Sequence, residues 1–211
     1  QAFITTDMED NQITAFRPGA MAHSFVNKVA DAQNISLGII APDGKDAMIQ
    51  HSHEFPAAGI PHIFDPGQAM PMFNGEELRG FIERADWIVM NDYEYQLVRE
   101  RTGMSGQEIS GQVRAFVVTL GGDGSNVYEK GEKTHIEAAA VSEIKDPTGC
   151  GDAYRAGMIH GLLNDMDLVT ACKIGSIMGA IKIEHLAPQH HKPSLQEIED
   201  RFAATYGYHF G

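Results

Sequence analysis

Cysteine is almost absent from this chain: there are 2 among 211 residues, Cys150 and Cys172. Two thiols without a repeated spacing make no disulfide framework, and a reducing, cytoplasmic setting is expected. Basic residues are also scarce. Against 29 Asp and Glu stand only 16 Lys and Arg, a formal net charge of −13. Such a surface argues against nucleic acid as a partner, because phosphate backbones are held by basic stripes. It does not exclude a small phosphate ligand, which local backbone N–H groups hold whatever the total charge. No apolar run reaches the ~18 residues of a membrane-spanning helix, so no membrane partner is expected. The opening Gln1-Ala2-Phe3-Ile4-Thr5-Thr6 lacks the basic and apolar regions of a signal peptide. It also lacks an initiator Met, as an internal product or a partial chain would. Repeats, linkers and low-complexity segments are missing too.

What is present reads as one ordinary domain. Apolar residues make up 43% and charged residues 21%, with length enough for a sizeable core. Ala2–Thr6 and Gln12–Phe16 are β-prone runs around the polar turn Asp7-Met8-Glu9-Asp10-Asn11, a β-hairpin pattern. Four short apolar runs follow, Leu37–Ile40, His62–Phe64, Trp87–Met90 and Phe116–Leu120. Helical stretches over Asp46–Glu54, Asn74–Arg84 and Tyr93–Thr102 separate them. Apolar runs without alternation fit strands covered on both faces, and their alternation with helices predicts a mostly parallel α/β sheet. Ser125–Tyr128 and Thr134–Glu137 predict a second hairpin. Helices are then expected over Ala153–Leu163, Leu168–Glu184 and Ser194–Tyr206, the last with Ser194 and Glu197 as a capping box. The expected division is a β segment over residues 1–20 and an α/β domain over 21–211.

Ligands of open α/β sheets bind beyond the carboxyl ends of the strands. Four marked loops fall there: Asp65-Pro66-Gly67, Asn91-Asp92-Tyr93-Glu94, Gly121-Gly122-Asp123-Gly124, and Asp146-Pro147-Thr148-Gly149-Cys150-Gly151-Asp152. The last leads small residues into a helix start, where free N–H groups carry partial positive charge. That is an anion site suited to a transferring phosphoryl group. Asp152 beside it is placed to accept a proton from an attacking hydroxyl; it also reads as an ordinary acid of a first helical turn. Thr119-Leu120-Gly121-Gly122-Asp123-Gly124 offers a hydroxyl and close backbone approach, or simply a tight hairpin. It is neither the P-loop nor the dinucleotide fingerprint, which argues against an NAD-dependent oxidoreductase. Asn91 and Glu94 can face one point and hold magnesium through water, or cap a helix. His51, His53 and the pair His190-His191 lack zinc spacing and read as structural. Cys150 next to a helix start is a candidate reactive thiol, or a small residue that fits.

Together these residues resemble the ribokinase-like, PfkB-type kinases. The family signature Asp-Thr-x-Gly-Ala-Gly-Asp stands here as Asp146 to Asp152, with Pro147 and Cys150 as departures. The Asn-x-x-Glu motif stands as Asn91 and Glu94, and the Thr-x-Gly-x-x-Gly loop as Thr119, Gly121 and Gly124, in the family's order. The resemblance implies a three-layer ribokinase-like sandwich with a small β lid hairpin and ATP, Mg2+ and in many members K+ as cofactors. It makes Asp152 the base, and Gly149, Cys150 and Gly151 the anion hole. Thr119, Leu120, Gly121, Gly122, Asp123 and Gly124 would touch the ATP phosphates, with Asn91 and Glu94 organising magnesium. Asp146 and Thr148 match positions for a monovalent cation. Gly175–Ala180 resembles the helix lining an adenine pocket, with Ser176 where ribokinases often have Asn. Family members carry a further N-terminal third with the first sheet strands and most of the acceptor site, which this chain lacks. The lid sequence and the Asp146–Asp152 loop look most like bacterial adenosine or nucleoside kinases, with Phe16 as a candidate base-stacking residue. A ribose- or fructose-type sugar kinase is the second reading, and an inactive nucleotide-binding module the third. Dimers through the lid are common in the family.

Overall fold

The structure is a computed structural model that describes residues 1–6 and 12–211. Strands β1 (Ala2–Thr6) and β2 (Gln12–Phe16) pair antiparallel, Ala2 opposite Phe16 and Thr6 opposite Gln12. The turn Asp7–Asn11 lies outside the described residues.

A six-stranded sheet carries the rest. Its order is β3 (Gly38–Ile40), β4 (His62–Phe64), β5 (Trp87–Asn91), β6 (Ala115–Thr119), β7 (Ser125–Glu129) and β8 (Glu132–Ile136). The first four strands are mutually parallel, and β7 and β8 close one edge antiparallel. Helices α1 (Lys45–Ala57), α2 (Gly75–Arg84), α3 (Asp92–Thr102) and the short α4 (Gly106–Ser110) connect the parallel strands. Helices α5 (Cys150–Leu163), α6 (Leu168–Ile183) and α7 (Leu195–Tyr206) follow the sheet.

Side chains alternate across each strand, which makes three layers. Phe64, Ile88, Met90, Phe116 and Val118 face one way, into a core with Leu78, Phe81 and Val98 of α2 and α3. Ile63, Val89, Val117 and Val127 face the other way, against Tyr154, Met158, Ala171 and Cys172 of α5 and α6. Burial on both faces explains why the strands read as unbroken apolar runs. Helices α5 and α6 pack closely because their facing residues are small. A Cβ on Gly157 would lie 2.8 Å from Gly175 Cα, and one on Gly161 would lie 2.5 Å from Ala171 Cβ.

Two details differ from the expected elements. Helix α1 runs past Glu54 through Pro56, because Ala58 and Gly59 N–H groups close its last turn on the Glu54 and Pro56 carbonyls. Helix α4 was not expected; five residues are too few to show a helical period. Its signal was the capping box Ser105 and Glu108.

Candidate active site

The four marked loops do meet at one end of the sheet. Asp65 follows β4, Asn91 ends β5, and Thr119 ends β6 in register opposite Asn91. The loop 146–152 reaches them through the first turn of α5. Arg155, one turn further along α5, clasps the Asp65 carboxylate with Nε at 2.5 Å and Nη2 at 2.6 Å. Burial pushes the Asp65 carboxyl up to about 6, and the Arg155 charge pulls against it. The pair fixes the start of α5 over the end of β4.

Asp152 sits in the first turn, at 3.8 Å from Arg155 Nη1, with its side chain 85% exposed. It is therefore free to meet a ligand. Gly149 caps α5 with φ +86, a left-handed conformation that glycine adopts without strain. The Cys150 N–H donates to the Pro147 carbonyl at 3.1 Å, and the Ala153 N–H to the Gly149 carbonyl at 3.0 Å. Among the described residues, the N–H groups of Gly149, Gly151 and Asp152 find no acceptor. The amides open to an anion thus include that of Asp152 and leave out that of Cys150. Burial pushes the Cys150 thiol up, although Lys182 pulls it down. Its sulfur is not an activated thiolate.

Next to this turn lies a cleft of about 480 Å³. Thr119, Gly121, Gly122 and Gly124 form one wall, and Cys150 and Gly151 a second. Gly124 has φ +84, and a Cβ there would collide with the Ile136 carbonyl. That glycine is what lets the loop fold back on β8. Ala138–Val141, Ile144, Gly179, Ala180 and Ile183 make most of the remaining wall apolar. Ser176 lines the cleft too, with its hydroxyl oxygen accepting the Ala139 N–H at 3.0 Å. Leu120 packs into the core instead, and neither it nor Asp123 lines the cleft. An open groove of about 570 Å³ elsewhere is walled by Asp92, Tyr95, Gln96, Arg99, Glu100 and Gly103, and gathers no glycine loop.

Asn91 and Glu94 cap α3 reciprocally. The Glu94 N–H donates to Asn91 Oδ1 at 2.8 Å, and the Asn91 N–H to Glu94 Oε2 at 2.9 Å. Asn91 Nδ2 adds a bond to Glu94 Oε1 at 3.1 Å. Each carboxylate oxygen keeps lone-pair capacity beyond these bonds, with which it can accept from water. Asp146 is engaged as well: Oδ1 accepts the Thr148 N–H at 2.8 Å and Oδ2 the Ala187 N–H at 2.9 Å. These bonds, Thr148 first, hold its carboxyl below the usual range. Phe16, at the foot of the β1–β2 hairpin, is 55% exposed and does not line the cleft. Among the described residues no group of three His, Cys, Asp or Glu is arranged for a metal.

Residues 1–195 match the pfkB family carbohydrate kinase. The chain belongs to that family. It is 46% identical to the Burkholderia thailandensis nucleoside kinase solved with inosine, at a TM-score of 0.94, covering 99% of this chain and 68% of that one. The same relative was also solved as an ADP–inosine complex. The nucleoside kinase of Methanocaldococcus jannaschii is 30% identical over 202 residues, 95% of this chain and 66% of the relative. Its structure, an archaeal member of the ribokinase family, superposes with a TM-score of 0.87. The chain therefore spans about two thirds of the length of these pfkB relatives.

Sequence reasoning missed two charged side chains at this site, Arg155 and Lys182. Arg155 had a faint signal, its i, i+3 spacing from Asp152. Lys182 had a stronger one, as a lone charge inside the apolar run Ala180-Ile181-Lys182-Ile183.

Proposed function

We propose that this protein moves the γ-phosphate of ATP to a hydroxymethyl group of adenosine or a related nucleoside. The observation that carries it is the juxtaposition of a glycine-walled cleft with the open amides of Gly149, Gly151 and Asp152, under an exposed Asp152 carboxylate. The nucleoside kinase relatives support the acceptor class.

The apolar walls at Ala138–Val141 and Ile183 suit the face of a purine donor. The Thr119–Gly124 loop then lies along the phosphates. The acceptor hydroxyl oxygen attacks the γ-phosphorus, the bond to the bridging oxygen breaks, and ADP leaves. Asp152 takes the hydroxyl proton. The amides of the α5 start stabilise the charge that develops on the transferring group, so positioning supplies most of the rate. Asn91 and Glu94 would hold the water shell of a magnesium ion, which neutralises phosphate charge when bound. Phe16 acts on the acceptor only if the hairpin reaches over the site. The two free cysteines fit a reducing, cytoplasmic setting.

The hairpin also exposes Phe3 and Ile13 on one face, at 62% and 78%. We read this face as a contact with a second copy, and sedimentation should show a dimer that Ile13→Asp converts to monomer. The acceptor is tested by following ADP release with adenosine, inosine, ribose and fructose. Nucleosides are expected to be turned over with the highest kcat/KM. Preference for a free sugar would favour a sugar kinase, and no ADP release with any acceptor would leave a nucleotide-binding module.

A further inference from the structure

The Lys182 side chain has no solvent exposure. Its ammonium donates to the Asp146 backbone carbonyl at 2.7 Å and to the His185 carbonyl at 3.0 Å. The Asp146 carboxylate lies 3.8 Å away. The lysine stem runs beneath the anion site: a Cβ on Gly149 would come 3.7 Å from Lys182 Cε. The same Asp146 carboxylate accepts the Ala187 N–H, where Ala187 holds φ +60. The loop 146–149 and the turn 185–187 are thus closed around one positive charge.

A buried ammonium costs several kcal/mol unless oxygens surround it. Here two carbonyls and one carboxylate do so. Carbonyl oxygens converging on a single monovalent charge are also how proteins seat potassium. Asp146 and Thr148 match cation positions by resemblance, but the Asp146 oxygens already accept from Thr148 and Ala187 and face the Lys182 ammonium. A potassium ion does not fit this carbonyl set without expelling the ammonium.

We propose that Lys182 is a built-in monovalent cation, a positioning residue that holds the anion-hole loop in place of a bound ion. It rests on the phosphotransfer reading for its consequence: the reaction needs no added potassium. The two are separable by experiment. Thermal melting of the purified protein at its full natural length, in potassium against tetramethylammonium chloride at equal ionic strength, needs no turnover. The native protein should melt at the same temperature in both salts. Lys182→Ala should melt lower and regain stability specifically in potassium or ammonium. Turnover should be equal in both salts for the native protein. In Lys182→Ala it should fall by about 10–100-fold and be restored by potassium or ammonium. A lysine that only filled space would show no such rescue. A native protein whose turnover or melting responds selectively to potassium overturns the proposal, and that result does not depend on the variant folding. Full activity of Lys182→Ala without any small cation also overturns it. Absence of turnover in every salt would count against the kinase reading, while the melting comparison still decides the role of Lys182.

Discussion

Arg155 and Asp65 carry opposite charges, both largely removed from water, and each makes the other tolerable. Replacing Arg155 with Met would leave the Asp65 carboxylate buried and uncompensated. That should cost about 3–5 kcal/mol of stability, read as a lower urea midpoint. Arg155→Met with Asp65→Asn together should recover part of the loss, since the stranded charge is gone. Asp152, by contrast, is exposed, so its removal should leave melting unchanged. The difference marks what was legible at this scale. Asp152, Gly149 and Thr119 stand in motifs whose residue types announce the chemistry. Arg155 and Lys182 act through partners distant in sequence, Asp65 and the Asp146 carbonyl, and only the folded chain brings these together.

Among the described residues, helices α5 and α6 make the most extensive contact of any two elements, and the turn of open amides sits at the start of one of them. Gly157→Val should push α6 away from α5, because its Cβ position already touches Gly175. The cost is expected at about 1–3 kcal/mol, with a larger proportional loss of nucleotide affinity than at a distant surface site. Urea unfolding and isothermal titration with ADP measure the two. The sequence signal for this packing is Gly157 and Gly161 at i, i+4 spacing. The parallel strands were readable too, because two-sided burial leaves unbroken apolar runs such as Trp87–Met90. Helix α4 and the passage of α1 through Pro56 were not, since one is too short for a period and the other runs through a residue that usually stops a helix. Asn91 and Glu94 proved to be a helix cap, an alternative their spacing had left open, and the cap places the Glu94 carboxylate at the β5 end.

Across the whole molecule, one contribution to acid stability is a tie between its last two helices. Glu184, at the end of α6, receives Arg201 of α7 at 2.8 and 2.9 Å and the Ser142 N–H at 2.7 Å. The Arg201 bonds, then those from Ser142, hold the carboxyl down at about 2, from an ordinary 4.5. A lowered folded pKa stabilises above the unfolded value and is lost as pH falls through the folded one. Melting temperature should therefore drop between pH 4.5 and about 2, and Glu184→Gln should flatten that part of the curve. The chain holds a glycine-walled cleft beside a turn of open amides and spans about two thirds of its relatives' length. Acceptor identity was the least legible feature, because none of the motifs in the sequence specifies the acceptor. Transfer itself is the most direct test. Purified protein, in its full natural length, is incubated with γ-labelled ATP, magnesium and inosine or adenosine, beside its Asp152→Asn variant. Label is expected to appear on the nucleoside, with the variant slower by about 10²–10⁴-fold and binding ADP as tightly as before. Equal transfer by the variant, or label that never leaves ATP for any nucleoside, would contradict the account.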